Sequence, residues 1–449
     1  MKFDIKKIGG YMLVATALLS GFALQSCEDE PDKFELTGGK PTIYYIRPTD
    51  VDQKDSLLVQ SYPESSICIV GSNLTSIKEM YFNDKQAILN TSYITDHTLV
   101  VSVPKDIPDK VTDKIYMVTT GNDTVKYDFH VVVPAPTLTS MSCEYVHAGD
   151  EVTINGSYFI DDPGTPIKVT LPDGQEVTDF VSKSRSALTF VMPECDTEGP
   201  VSVTSVYGTT KSSFRYLDSR GLLFDFDGKT GLMPLGWHSD GPVVTDTDNP
   251  IGGKYIQIGN DATTMSANGD WNDNTYFFPY WPGEWTTPVS YVARQSQKLT
   301  DLADFTNYQN MAYKFEMYVP KSNPWSAGAM QIIVGGVDKI SGTGSGLDVD
   351  GKECAGANNT YFNNDDLPRG IYRPWESTGS FDTDGKWITV TLPIKDFTYG
   401  MSGSKASGNV KLTADDFTSF TIFIVGGGIS GTECKPVIRL DNIRVVPLN

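Results

Sequence analysis

A short pattern occurs twice in the first half of the chain. Pro136-Thr137-Leu138 echoes Pro41-Thr42-Ile43, and Ile154-Asn155-Gly156-Ser157-Tyr158-Phe159 echoes Ile69-Val70-Gly71-Ser72-Asn73-Leu74. Ala187-Leu188-Thr189-Phe190-Val191-Met192-Pro193 likewise echoes Thr98-Leu99-Val100-Val101-Ser102-Val103-Pro104. An internal repeat of this kind means two copies of one structural unit. The apolar residues in it come in short β-rich runs, bounded every eight to twelve residues or so by turn signals. No stretch holds a 3.6-residue apolar period long enough for a stable helix. Two tandem sandwiches follow, over 41–133 and 134–217, each under about 100 residues. Pro134-Ala135-Pro136 makes a stiff joint between them, because proline fixes φ. The pattern I-x-G-S-x-L/F, with a strand closing on V/M-P, marks each copy.

The rest of the chain, 218–449, reads as a larger β-sandwich of jelly-roll type. It opens with Leu222-Leu223-Phe224-Asp225-Phe226-Asp227-Gly228 and closes with Arg439-Leu440-Asp441-Asn442-Ile443-Arg444-Val445. Alternating runs lie between, at 312–319, 330–334, 387–392 and 420–425. The fold class is therefore all-β. That opening and closing pair resembles carbohydrate-binding modules in which the first and last strands pair. The resemblance also implies a structural Ca²⁺, with Asp225, Asp227 and Asp441 as hard oxygen ligands; the alternative is that these are turn and edge carboxylates.

The N-terminus reads as a lipoprotein signal. Lys2, Lys6 and Lys7 precede an apolar segment, 8–24, too short for a comfortable membrane span. Leu24-Gln25-Ser26-Cys27 resembles a bacterial lipobox, which implies a signal peptide over 1–26 and an acylated Cys27 seated in a membrane. Glu28, Asp29 and Glu30 resemble the export tag of Bacteroidetes surface lipoproteins, and 27–40 reads as an acidic tether. Five cysteines remain besides Cys27. Cys143 with Cys195, or Cys354 with Cys434, are the pairs that sequence leaves open as disulfides. Cys68 reads as a buried thiol.

A net charge of −20 argues against nucleic acid and against docking on anionic lipid, both of which need a basic surface. It suits a neutral, hydroxylated ligand. Residues 271–285 point the same way: seven of these fifteen residues are Trp, Tyr or Phe. An aromatic plane beside small polar groups matches a pyranose, with its apolar C–H face and hydroxyl rim. Pro279, Pro282 and Gly283 interrupt the run, so it is expected as an irregular loop. Loops on a rigid scaffold are where binding groups concentrate. The binding candidates are accordingly Trp271, Tyr280, Trp281 and Trp285, with Trp325, Tyr361, Tyr372 and Trp375 from other turn-rich stretches. Asn363 and Arg369 are candidates for bonding hydroxyls, with Asn364, Asp365, Asp366, Arg373 and Glu284 beside them. Phe277 and Phe278 are expected to pack beneath the loop, Phe315, Phe420 and Phe423 in the core, and Trp387 as structural.

The two Gly-Ser repeats resemble the IPT/TIG immunoglobulin-like fold, and lipobox, acidic tag, these repeats and a C-terminal sandwich together resemble the B-type surface glycan-binding proteins of Bacteroidetes polysaccharide-utilisation systems. The resemblance implies a non-catalytic, surface-exposed outer-membrane lipoprotein with no cofactor. It would capture a plant β-glucan such as xyloglucan or mixed-linkage glucan beside a SusC/SusD-like transporter and surface glycosidases. Two alternatives differ in class. A glycoside hydrolase needs two facing carboxylates, for which Glu284 and Glu376 are best placed. An adhesin or assembly protein would use the aromatics on a protein partner. No GxSxG elbow, phosphate loop or zinc spacing occurs.

Overall fold

The structure is a computed structural model describing residues 34–53, 55–236, 238–245, 251–282, 297–335 and 366–448. Cys27, Glu284, Trp285, Cys354, Tyr361, Asn363, Asn364 and Asp365 lie outside the described residues. Regular elements among the described residues are β-strands and short 3-10 turns. The chain divides into two compact units, Met1–Pro134 and Ala135–Asn449.

In the first unit a sheet of Thr42–Pro48, Ser66–Ser72 and Thr98–Ser102 accompanies a sheet of Lys85–Ala87, Ile77–Phe82, Lys114–Thr119 and Thr124–Asp128. Ile67, Ile69, Leu99, Met80, Phe82, Ile115 and Met117 are fully buried in it. The second unit begins with the repeat of this plan. Thr137–Met141, Glu151–Ser157, Ala187–Val191 and Ser182–Lys183 form one sheet, and Glu176–Val177, Lys168–Thr170, Gly199–Ser205 and Gly208–Tyr216 the other.

The repeated motif has a direct physical cause. Leu138 pairs with Gly156 as Ile43 pairs with Gly71, and a bulge follows each pairing. A Cβ on Gly71 would lie 2.1 Å from the Thr42 carbonyl oxygen, and one on Gly156 1.9 Å from that of Thr137. Only glycine lets the two backbones come that close. The echoed Pro-Thr and Gly-Ser steps are thus the two sides of one contact, made once per sandwich.

The C-terminal sandwich has two sheets. The larger runs Val243–Thr245, Tyr255–Ile258, Ile438–Pro447, Met311–Tyr318, Ile388–Pro393, and Leu222–Phe224 also pairs with Ile438–Pro447. The opening and closing segments therefore pair directly, Leu222 with Arg444 and Phe224 with Ile443. The smaller sheet runs Phe277–Tyr280, Ser419–Val425, Ala329–Gly335, Gly370–Tyr372. Tyr313, Phe315, Met317, Leu440 and Ile443 from the larger sheet meet Phe278, Tyr280, Met330, Ile332, Phe420 and Ile422 from the smaller in one core.

The outward face of the larger sheet packs on the second immunoglobulin-like sandwich. Ile251, Tyr255 and Trp387 join that sandwich's own core cluster, and the Tyr255 and Trp387 rings meet at 5.6 Å. An ionic network lies in the same contact. Arg444 Nη1 donates to Glu316 Oε2 at 2.7 Å and Nη2 to Glu144 Oε2 at 2.7 Å. Lys314 Nζ donates to Glu144 Oε1, and the Thr389 hydroxyl donates to Glu316 Oε1 at 2.9 Å. Burial opposes a charge on Arg444, but the carboxylates of Glu316 and Glu144 outweigh it and hold the guanidinium protonated.

A β-bulge makes the network possible. Lys314 pairs with Arg444 and Glu316 with Asp441, so Asn442 and Ile443 together face only Phe315. Asn442 sits at φ 49°, in the left-handed region that Asn tolerates. The extra residue re-phases the strand. Leu440, Ile443 and Val445 all reach the core, while Arg444 turns outwards to Glu144.

No disulfide links Cys143 and Cys195, which are buried free thiols, as is Cys68. Cys434 is also free. Burial pushes the Cys143 thiol far up.

Truncating Arg444 strands the buried Glu316 carboxylate, while Glu144 keeps Lys314. Arg444→Leu is expected to cost about 3–5 kcal/mol in denaturant unfolding of the second unit. Lys321→Ala, which removes an ion pair with both partners mostly exposed, is expected to cost under about 1 kcal/mol. Equal midpoints for the two variants would contradict a structural role for the network.

Candidate functional site

The smaller sheet is apolar on both faces. Strand residues alternate between faces, and in Ser419–Val425 the residues Phe420, Ile422 and Ile424 belong to the core while Phe423 and Val425 belong to a separate cluster. That second cluster contains Phe277, Trp281, Ile333, Leu367, Phe423 and Val425. It lies on the outward face, turned away from the larger sheet and the second immunoglobulin-like sandwich.

Four aromatic rings form a row there. Trp271 stands edge to face on Phe423, with centroids 4.7 Å apart at 90°. Phe423 meets Phe277 at 5.1 Å and 80°, and Phe277 meets Trp281 at 5.7 Å and 82°. Each such pair adds about 0.5–1.5 kcal/mol beyond the area it buries. Trp271 ends the row with 44 % of its surface exposed. It is the most exposed aromatic side chain of the sandwich among the described residues. Trp281, at 6 % exposure, donates its indole N–H to Thr421 Oγ1 at 2.9 Å. Gly236 lies flat on its ring, where a Cβ would approach Cδ2 to 3.1 Å.

Polar groups share this face. Gln331 donates from Nε2 to the carbonyls of Met401 and Val425, both at 3.0 Å. Its Oε1 accepts from Arg369 Nη1 at 2.9 Å. At the sheet end Arg373 donates to the Gly427 carbonyl, and its Nε lies 3.2 Å from Glu376 Oε2.

Several expectations need correction. Residues 277–280 form a strand after all, buried throughout. Pro279 is compatible with it because the strand is at the sheet edge, where a missing donor costs little. Its outer edge is met by Leu235, which donates to Pro279 O and accepts from Trp281 N, both at 2.9 Å. Tyr280 consequently points into the core with no exposed surface, and its hydroxyl donates to Gln297 O at 2.7 Å. Trp325 is likewise fully buried and Trp375 nearly so. Their indole N–H groups both donate to Gly328 O, at 3.1 and 2.9 Å, so they close one end of the core. Tyr372 is half-buried beside Trp325, with centroids 6.1 Å apart. Arg369 is 1 % exposed and committed to Gln331. Phe423, expected in the core, lies on the outward face instead. Phe315 and Phe420 are core residues as expected, Phe278, expected beneath the loop, also belongs to the core, and Trp387 packs on Tyr255.

Phe423, Ile333, Thr421 and Gln331 are the residues of this face that sequence reasoning missed. A signal was present. Ser419–Val425 and Ala329–Gly335 are buried at every position, and near-continuous apolar strands mark a sheet covered on both sides.

The three carboxylates expected to hold calcium are each engaged by backbone N–H donors instead. Asp225 accepts from the backbone N–H of Lys229 (2.8 Å) and Thr230 (3.2 Å) and from the Thr230 hydroxyl. Asp227 accepts from Lys254 N at 2.7 Å, and Asp441 from Asn442 N at 2.7 Å. Among the described residues no group of three His, Cys, Asp or Glu side chains is arranged to hold a metal. The carboxylates organise turns and the bulge.

Residues 216–447 match the family model described as the surface glycan-binding protein B xyloglucan binding domain. The chain belongs to this family. The solved structure of surface glycan-binding protein PbSGBP-B from Prevotella bryantii is 44% identical, with a TM-score of 0.84 over 92% of this chain and 100% of that one. An IPT/TIG domain-containing protein of Bacteroides ovatus is 27% identical over 278 residues, 58% of this chain and 52% of the relative. The chain thus matches about half the length of that relative. Its C-terminal domain is thus that of a surface glycan-binding protein.

Asp441 supplies a pH prediction. Burial, then the neighbouring charges of Glu316, Asp227 and Asp225, push its carboxyl up to about 9. The folded protein therefore holds a proton that the unfolded chain, with an Asp pKa of about 3.9, releases. This stabilisation is complete below about pH 4 and is lost as pH rises through about 9. Calorimetric melting of Asp441→Asn should show a shallower fall in Tm from pH 5 to 9 than the wild type. An unchanged fall would contradict the assignment.

Proposed function

We propose that this protein captures a neutral plant β-glucan, xyloglucan foremost, on the outward face of the smaller sheet. Trp271 is the stacking platform, and Phe423, Phe277 and Trp281 are the floor that holds it. The observation that carries this reading is the aromatic row ending in an exposed indole. An exposed ring braced from behind presents a rigid apolar plane at low entropic cost, which is what the C–H face of a pyranose requires. The family's xyloglucan-binding description names the ligand class, and the chain's net charge of −20 suits an uncharged sugar.

Stacking on one or two rings contributes roughly 1 kcal/mol or somewhat more per ring. Such a site is modest in affinity, and dense display strengthens capture by avidity. The display we propose is an outer-membrane lipoprotein, anchored through acylated Cys27 and exposed at the cell surface. Its partners there would be a SusC/SusD-like transporter and surface glycosidases. Xyloglucan, mixed-linkage glucan and β-mannan all offer apolar faces, and the spacing of polar groups around Trp271 selects among them.

Titration calorimetry of the full chain with those three polysaccharides tests the reading. Xyloglucan is expected to bind, and Trp271→Ala to weaken it by about tenfold or more, equivalent to 1.4 kcal/mol. Trp325→Phe, a core change, should leave affinity unaltered. Wild-type affinity in Trp271→Ala would refute the platform.

A further inference from the structure

The loop that carries Trp271 is sewn to the loop that follows the Ser419–Val425 strand. Met265 and Cys434 exchange backbone hydrogen bonds of 2.8 and 3.1 Å, and Gly431 N–H donates to Ala267 O at 2.8 Å. The Ser430 hydroxyl donates to Asn268 Oδ1 at 2.6 Å. Gly426 N–H donates to Gly269 O at 2.7 Å. Trp271 stands two residues beyond that last bond.

Bare backbone allows the approach. A Cβ on Gly269 would lie 2.7 Å from Gly328 Cα, one on Gly427 2.4 Å from Ala329 Cβ, and one on Gly431 1.9 Å from Ser326 O. Gly269 and Gly427 also hold φ values of 66° and 92°, where a side chain is strained. The Gly269 approach lays the Trp271 loop directly on the Gly328 and Gly426 backbone, while Gly427 and Gly431 seat the partner loop on residues 326–329 and so hold the surface that the Trp271 loop rests on. The Phe423 ring beneath Trp271 belongs to the same strand end that supplies Gly426. Floor and tether of the indole therefore move as one piece.

We infer that this glycine seam is a positioning device: it fixes Trp271 over Phe423 in the ligand-free protein, so that glucan meets a pre-organised platform. The inference rests on Trp271 being the platform, and it adds the residues that set its pose. Pre-organisation raises affinity by removing the ordering cost of a mobile ring. Gly269, Gly427 and Gly431 are positioning residues, since none of them needs to touch the sugar.

Near-ultraviolet circular dichroism of the ligand-free full chain tests the positioning. The difference between wild type and Trp271→Phe isolates the indole in its fixed environment. Gly269→Ala is expected to abolish that difference, measured against Gly269→Ala/Trp271→Phe. Gly252→Ala, where a Cβ meets nothing within 4 Å, should retain it. Titration with a xyloglucan oligosaccharide should then show Gly269→Ala weakened about as much as Trp271→Ala, by about tenfold. The double variant should be no weaker, because both changes remove one interaction. Asn268→Ala removes the Ser430 contact without adding bulk, and keeps the test decisive if Gly269→Ala fails to fold; a smaller loss in the same direction is expected. An undiminished Trp271 signal in the folded variants overturns the positioning role. A lost signal with unchanged affinity upholds the positioning role and overturns the platform reading.

Discussion

The Ser419–Val425 strand is buried on both of its faces, and the architecture of the sandwich follows from that constraint. One face must join the core, so Phe420, Ile422 and Ile424 meet the larger sheet. The other face meets no further sheet among the described residues, yet it presents Phe423 and Val425. A sandwich that needed only to fold would carry polar side chains there. The row there is buried except at its end, where Trp271 is 44 % exposed.

The opposite side of the sandwich is engaged in a different way. The larger sheet turns Lys314, Glu316 and Arg444 towards Glu144 of the preceding immunoglobulin-like sandwich. Charges buried this deeply are costly unless every one is paired. Here two cations face two carboxylates, and the Thr389 hydroxyl takes part through both Glu316 and the Glu144 backbone N–H. Such a contact fails if the two sandwiches shift. It explains why Ala135–Asn449 is one compact unit although its sequence contains two domain patterns.

Much of this was legible from the residues. The tandem Gly-Ser motifs carried the two small sandwiches, and the Asp-rich opening and closing segments carried the pairing of first and last strands. Trp271 was legible as an exposed aromatic because it lies in a turn-rich stretch, and it is 44 % exposed. Tyr280, Trp325 and Trp375 were misplaced for one shared reason: proline or glycine beside an aromatic reads as a loop, whereas here Pro279 sits on an edge strand and Gly328 accepts two indole hydrogen bonds. Phe423 was misplaced because periodicity shows that residues alternate but not which face is the core. The bulge at Asn442 was invisible for the same reason, since a single inserted residue changes the face of Arg444 without altering the composition of the strand. Trp285, Tyr361 and Asn363 fall outside the described residues.

The most direct measurement is the crystal structure of the full chain with a bound xyloglucan oligosaccharide. The account predicts a pyranose ring lying parallel to the exposed indole of Trp271, on the outward face of the sheet that contains Phe277–Tyr280 and Ser419–Val425. A sugar bound on the larger sheet, on either immunoglobulin-like sandwich, or without contact to Trp271 would contradict it.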